Sequence, residues 1–536
     1  MASELRSEWL DWPRKRNRYS ANTPALVDRQ TGIQKGGKVS NSVVDLLVIG
    51  GGINGTGIAR DAVGRGLSVV LAEKDDLAQG TSSRATKYIH GGLRYLEYYE
   101  FRLVREALKE REVILRAASH LASPLRLVLV HSPEQRPRWL VRLGLFLYDH
   151  LGGRKRIPAT YSIRLDRDPE GDVVKDQYRH AFAYHDVWCD DARLVVLNAV
   201  DAARRGAEIL THTKVTSARR EDGLWIATLE QDDGTTKTLK ARALMNAGGP
   251  WVETVLGNVA GVNSDKRVRL VKGSHIITKR WWKGDHGYAL QAPDDRLIFV
   301  NPYLDDLAAI GTTDIPFDGR AEDVAISPEE TNYLLNILNG YFKVNLTSDD
   351  VIWDYSGVRP LFDDGAKGAS AVTRDYTFEV DVSEGRAPIV SAFGGKLTTY
   401  RKLSEAALAL LAPYLPQMSK PWTHDAPLPG GDFPDGDKDG WASDFRARHT
   451  WLPDPLARHL ITCYGTDADR LLGDAKSLAD LGAHFGGQFY EREARWLIDH
   501  EWARSADDLL FRRTKHGVTF STDERESLND WLATVG

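Results

Sequence analysis

Cysteine is almost absent from the chain: Cys189 and Cys463 are the only two among 536 residues. Two thiols cannot build a disulfide framework, and without a C-x-x-C pair a structural zinc or dithiol redox site is excluded, so the usage is that of a cytosolic protein. Long apolar runs are missing as well. No stretch of about 18 uncharged apolar residues is present to span a bilayer, and Met1 to Ser20 lack the apolar core of a secretory signal. The signatures H-E-x-x-H, G-x-S-x-G and G-x-x-x-x-G-K-[ST] do not occur, which leaves zinc hydrolase, serine esterase and P-loop readings without support. Neither an internal repeat nor a low-complexity tract is found.

What is present is an ordinary soluble composition, 42% hydrophobic and 27% charged, in a chain long enough for about three to four domain-sized units. The net charge of -5 conceals an asymmetry: residues 1–156 carry 26 Lys and Arg against 16 Asp and Glu, and the remainder 44 against 59. A basic front suggests an anionic surface or substrate near the first third of the chain. The acidic body, with no recognised module, argues against nucleic-acid binding. Residues 1–42 read as a basic arm, disordered at least in part.

At Val43 the pattern changes to an apolar run of strand length that ends in Gly50-Gly51-Gly52, continues as a small-residue helix to Arg65, and leads to a second strand ending at Glu73. This is a βαβ unit carrying Gly50-x-Gly52-x-x-Gly55. The first glycine makes the tight turn and the second lets backbone approach a pyrophosphate. The helix N-terminus offers amide groups to that anion, and Glu73 is placed for ribose hydroxyls. Asn54 and Gly51 belong to the same turn. Two distant segments favour FAD over NAD: the strand ending in Ala247-Gly248-Gly249, and the Gly394-Gly395-Lys396-Leu397-Thr398 turn, which enters a helix and can face the electron-rich edge of a flavin. The expected architecture is α/β, a doubly wound FAD-binding domain over 43–425 with an interleaved β-rich substrate-capping domain, a linker at 426–440 and a helical domain over 441–536.

Thr81-Ser82-Ser83, Ile89-His90-Gly91-Gly92-Leu93-Arg94-Tyr95-Leu96, Lys272-Gly273-Ser274-His275, Ile310-Gly311-Thr312-Thr313-Asp314, Tyr355-Ser356-Gly357-Val358-Arg359-Pro360, Thr373-Arg374-Asp375-Tyr376 and Phe393-Gly394-Gly395-Lys396-Leu397-Thr398-Thr399-Tyr400-Arg401 follow. From about Asp45 onward the chain resembles the FAD-dependent glycerol-3-phosphate dehydrogenases of the aerobic bacterial type. The 1–42 arm is longer than that resemblance leads one to expect. The resemblance implies oxidation of sn-glycerol 3-phosphate to dihydroxyacetone phosphate, electron delivery to membrane quinone, and a peripheral position on the inner face of the cytoplasmic membrane. It adds Thr81, Ser82, Ser83, His90, Gly91 and Gly92 to the cofactor site.

The chemistry needs a base for the hydroxyl proton and several cations for a phosphate dianion. Arg94, Tyr95, Arg374 and Lys396 are the substrate-binding candidates; His275 is the base candidate, and Arg359 can hold the developing alkoxide. Proton removal is left open between His275 and Arg359. His185, Asp186, Cys189, Asp190 and Asp191 collect metal-type ligands, but Asp190 and Asp191 read as a helix N-terminus, and no metal is expected. Residues 136–156 flank Trp139, Leu143 and Phe146 with Arg and Lys, a pattern suited to an anionic membrane surface. A homodimer is the expected assembly. A glycerol-3-phosphate oxidase or amine oxidase of the same fold, and a non-catalytic nucleotide-binding module, stand as alternatives.

Overall fold

A computed structural model describes residues 43–132, 134–153, 156–363 and 375–535. The basic arm, Arg154, Lys155 and Arg374 lie outside the described residues. The first strand, Val44–Ile49 (β1), alternates its buried side chains between two layers. Leu46 and Val48 join a core formed with helix Ile53–Gly64 (α1) and with helices Asp191–Arg204 and Tyr400–Leu411. Leu47 and Ile49 face the opposite core with Trp225 and Leu239. Apolar side chains at consecutive positions, as from Leu46 to Ile49, are what a strand covered on both faces requires.

β1 pairs in parallel with Val69–Ala72 (β2) on one side and Thr236–Asn246 on the other. The sheet runs Thr377–Ser383, Arg386–Phe393, Thr236–Asn246, β1, β2, Glu208–Leu210, and the hairpin strands Thr213–Glu221 and Leu224–Gln231 extend it beside Thr236–Asn246. A second, mainly antiparallel sheet holds the long strands Ala122–His131, His180–Cys189, Val268–Lys279 and Trp353–Phe362. Helix Pro328–Tyr341 covers one face of it. That helix begins with a capping box between Ser327 and Glu330, which satisfies two of its orphan amides. The Asp190 side chain caps helix Asp191–Arg204 by accepting the Arg193 N–H at 3.1 Å, the role read for it in sequence.

Beyond Lys438 the chain is mostly short helices around a core of Phe445, Leu460, Leu497 and Leu509. Buried ion pairs lock this region to the loop after β2 and to the start of helix Asp191–Arg204. Arg512 Nε and Arg513 Nη1 reach Asp76 Oδ2 at 2.5 and 2.8 Å, Lys515 Nζ reaches Asp190 at 2.9 Å, and Arg193 pairs with Glu501. The segment with interfacial patterning is helix Arg138–Leu151. Leu145 and Tyr148 are buried on one side, whereas Trp139 is 69% exposed and Leu143, Phe146 and Leu147 share its outward face.

Candidate active site

A cavity of about 590 Å³ runs along the carboxyl ends of the parallel strands, where ligands bind in open α/β sheets. One end is lined by Glu73, Lys74, Val215 and Val255; Gly50, Gly52 and Ser82 line the middle; Gly395 to Thr398, His90 and Arg359 close the other end. The turn leaving β1 needs glycine at two points. Gly50 has φ +112°, and a Cβ there would fall 2.5 Å from the Ala247 carbonyl oxygen; a Cβ on Gly55 would stand 1.8 Å from the Gly50 oxygen. These contacts pull the start of α1 against the strand ends.

Gly52 is different. A Cβ there would meet only Ser82 Oγ, at 3.1 Å, so its missing side chain leaves room on the cavity side rather than relieving the backbone. Ser82 Oγ accepts the Ile53 N–H at 3.0 Å, Thr81 Oγ1 donates to the Val358 oxygen at 2.6 Å, and Thr398 Oγ1 accepts the His90 N–H at 3.1 Å. Asn54 Nδ2 donates to the Gly394 oxygen at 3.2 Å, which ties the first turn of α1 to the Gly394-Gly395 turn. Its Oδ1 is buried with no hydrogen-bond partner. Glu73 accepts the Gly51 N–H at 2.5 Å through one oxygen and the Asp75 N–H at 2.9 Å through the other, and burial raises its pKa. An elongated trough, a helix N-terminus whose N-cap Gly52 offers no side chain, an orphan amide oxygen and a carboxylate on the wall together fit a dinucleotide in extended form.

A smaller cavity of about 120 Å³ adjoins the Arg359 end and shares Tyr88, His90, Tyr95, Phe299, Thr312 and Arg359 with the main one. Asp186, Arg296 and Asp314 bring charge to its walls. The Arg359 guanidinium pairs with Asp314 and donates to Thr312 Oγ1 at 3.3 Å, so it is held in place on the wall. Lys396 Nζ sits 4.0 Å over the Tyr95 ring.

Among the residues singled out in sequence, Gly50, Gly52, Asn54, Glu73, Thr81, Ser82, His90, Tyr95, Gly248, Arg359 and Gly395 to Thr398 line the main cavity. Gly92 lines the smaller one. Gly51, Gly55 and Gly91 lie behind the walls, with Gly91 packed against Leu108 and Tyr148. Ser83 belongs to the turn Thr81–Ser83 without lining either cavity, and the Arg94 backbone lies in the turn Leu93–Tyr98.

His275 departs from the expectation of a base facing the substrate directly. It is 1% exposed on strand Val268–Lys279, stacks on Tyr355 at 4.6 Å, and is absent from the lining of both cavities. Its Nε2 is 3.0 Å from Thr86 Oγ1, and Thr86 does line the main cavity. Burial, reinforced by the positive charges of Arg359 and Lys87, pushes the His275 pKa well below the usual imidazole value. The ring is therefore neutral near pH 7, with Nε2 the nitrogen that faces Thr86. Thr86, Val215, Trp251 and Phe299 also line the main cavity without having stood out in sequence. Only Trp251, directly after Gly248-Gly249-Pro250, carries a local signal; Lys74 Nζ rests 4.5 Å over its ring.

A family model described as FAD dependent oxidoreductase matches residues 45–401, and one described as the C-terminal domain of alpha-glycerophosphate oxidase matches residues 421–534. The chain belongs to the FAD-dependent oxidoreductase family, and FAD is the cofactor its long cavity fits. It is 56% identical over 489 residues to the D-erythritol 1-phosphate dehydrogenase of Brucella abortus (strain 2308), covering 91% of this chain and 97% of that one. It is 50% identical over 489 residues to the aerobic glycerol-3-phosphate dehydrogenase of Escherichia coli (strain K12), with the same coverage. Among solved structures, the glycerol-3-phosphate dehydrogenase from Bacillus halodurans complexed with FAD superposes with a TM-score of 0.71 at 26% identity, covering 93% of this chain and 95% of that chain.

Proposed function

We propose that this chain oxidises sn-glycerol 3-phosphate to dihydroxyacetone phosphate. The observation that carries the reading is the convergence of Arg359, Lys396, Tyr95 and His90 at the Gly395 end of the cavity, beside the smaller polar chamber. Bound FAD supplies a hydride acceptor there. Lys396 contributes positive charge for the phosphate, and Arg359, fixed by Asp314 and Thr312, stabilises negative charge developing on the substrate oxygen. Thr86 Oγ1 connects the cavity to His275 Nε2, so the hydroxyl proton passes to the neutral imidazole through the threonine hydroxyl. His275 is then a positioning and proton-holding residue, with Thr86 in contact with the substrate.

A second substrate has a specific argument behind it, namely the 56% identity to a D-erythritol 1-phosphate dehydrogenase. Both compounds present a secondary hydroxyl next to a phosphomethylene carbon, and the second carries one further CHOH group. The chamber of about 120 Å³ beyond Arg359 has room for that group. Anaerobic mixing of the flavin-loaded enzyme with each compound separates the readings: glycerol 3-phosphate is expected to bleach the flavin, and unphosphorylated glycerol is not. Bleaching by D-erythritol 1-phosphate alone transfers the assignment to the longer polyol phosphate. No bleaching by either ends the dehydrogenase reading.

We also propose peripheral attachment to an anionic membrane surface, where a lipophilic quinone can collect the electrons. No helix among the described residues is long and apolar enough to cross a membrane. The outward face of helix Arg138–Leu151 offers Trp139, Leu143, Phe146 and Leu147 to the headgroup boundary, and Tyr99 (80% exposed) and Phe101 lie at the start of the helix packed beside it.

A further inference from the structure

We propose that His459, Glu493 and His516 form a binding site for a divalent transition-metal ion, best suited to zinc, that ties the C-terminal helices together. His459 lies on helix Asp454–Tyr464, Glu493 on helix Glu491–Glu501, and His516 on the turn His516–Val518. Their ligating atoms all fall within 4.8 Å of one another. Around zinc, bonds of about 2.0–2.1 Å separate tetrahedral ligands by about 3.3 Å, so side-chain adjustments of an ångström or so close the site. Two imidazoles and one carboxylate suit zinc, whereas calcium and magnesium take oxygen donors.

The observation that calls for an ion is an unmet hydrogen-bonding demand. His459 Nε2 and Glu493 Oε1 are 2.7 Å apart, and a simple histidine–carboxylate hydrogen bond accounts for that contact. It leaves Glu493 Oε2 and His516 Nε2 buried with no partner, on a glutamate whose side chain is 3% exposed. The Phe489 and Phe520 rings stand 5.7 and 5.9 Å from the His516 ring and pack beside it. One cation at the centre satisfies both orphan atoms.

The surrounding groups are those that orient ligands. Tyr464 Oη donates to Glu493 Oε1 at 2.6 Å, which holds the carboxylate in place while its Oε2 is left without a partner. Cys463 Sγ lies 3.6 Å from His459 Nδ1 and holds that edge of the ring, so that Nε2 faces Glu493. The metal displaces any Nε2 proton to solvent, and water completes the fourth position. The sequence excludes a structural zinc site on the ground of its missing C-x-x-C pair, and this donor set, with no thiolate ligand, departs from that expectation.

The test uses untagged, flavin-loaded protein stripped over a chelating resin, incubated with zinc chloride and desalted, with zinc per chain read by mass spectrometry. About one zinc per chain is expected, together with a zinc-dependent rise in unfolding temperature. His516→Ala and Glu493→Gln should each weaken binding by about tenfold or more and abolish that rise. Retained flavin shows that a variant has folded, and His516→Asn substitutes if His516→Ala has not. Wild-type protein that holds no zinc overturns the proposal. So does unchanged stoichiometry and affinity in the folded His516 and Glu493 variants.

Discussion

Gly50 and Gly52 are two residues apart in sequence, yet their substitutions should fail in different ways. A side chain on Gly50 collides with the Ala247 carbonyl and damages the fold, whereas one on Gly52 projects toward Ser82 and cavity space. Gly52→Val is therefore expected to give folded, colourless protein, checked by circular dichroism beside the flavin absorbance of the purified chain. At His275 the prediction concerns pH. Burial and the Arg359 and Lys87 charges keep the ring neutral, so flavin reduction at saturating substrate, where titration of the substrate phosphate near pH 6 weighs least, should show no step from an imidazole base as pH falls from 8 to about 5.5. His275→Ala should slow flavin reduction by about 100- to 10,000-fold and Thr86→Val by a similar factor, read by anaerobic stopped flow. A decline through pH 6.5 in the wild type that persists at saturating substrate would contradict the buried neutral histidine. The glycines and Glu73 were legible in sequence because their chemistry is local. Thr86 was not, because its place between His275 and the cavity comes from strand pairing far away in the chain.

Helix Arg138–Leu151 shows what periodicity reveals and what it leaves open. The apolar residues recur at helical spacing, so a helix with mixed faces follows from the sequence, but only packing decides which apolar residues are covered. Leu145 and Tyr148 turn inward, and the Tyr148 hydroxyl donates to Asp186 at 2.8 Å, while Trp139, Leu143 and Phe146 turn outward. Replacing those three outward residues with Ser should sharply reduce binding to vesicles containing anionic lipid, measured by cosedimentation, while turnover with a soluble dye persists. Wild-type binding should weaken in high salt, since each basic residue near such a surface contributes about 1 kcal/mol. Unchanged binding in the triple variant would move the attachment surface elsewhere. The βαβ unit was equally legible: β1, α1 and β2 fall where the apolar run, the small-residue pattern and Glu73 place them. The order of strands in the second sheet was not, since Ala122–His131 and Gly287–Gln291 become neighbours across a long stretch of intervening chain.

Across the whole molecule, charge is buried where distant parts of the chain meet. Asp76 is 1% exposed and is gripped by Arg512 and Arg513, whose guanidinium groups keep its carboxyl below the usual carboxylate range. Removing one partner of such a cluster leaves the others buried without compensation, so Asp76→Asn should cost about 3–5 kcal/mol in chemical denaturation. Acid should act in the same direction by a different route. Burial pushes His120 down to about 3 and His286 to about 4. The unfolded chain takes up protons at both below pH 6.5 and the native chain does not, so stability falls as pH drops from 6.5 toward 4. Each contributes about 1.4 kcal/mol per pH unit over that window, and the unfolding temperature at pH 5 should lie clearly below that at pH 7.

The grip on Asp76 also sets an order of events during synthesis. Asp76 leaves the ribosome 436 residues ahead of Arg512, and the segment from Lys74 to Gln79 that it anchors forms part of the FAD cavity wall. Until Arg512 and Arg513 have emerged, that wall is held only by contacts made earlier in the chain, such as the Ala78 N–H to the Gly51 oxygen, and the Asp76 carboxylate is unpaired. Nascent chains arrested before Arg512 should therefore hold FAD more weakly than the released chain in a cell-free reaction supplied with FAD, read as flavin retained after desalting.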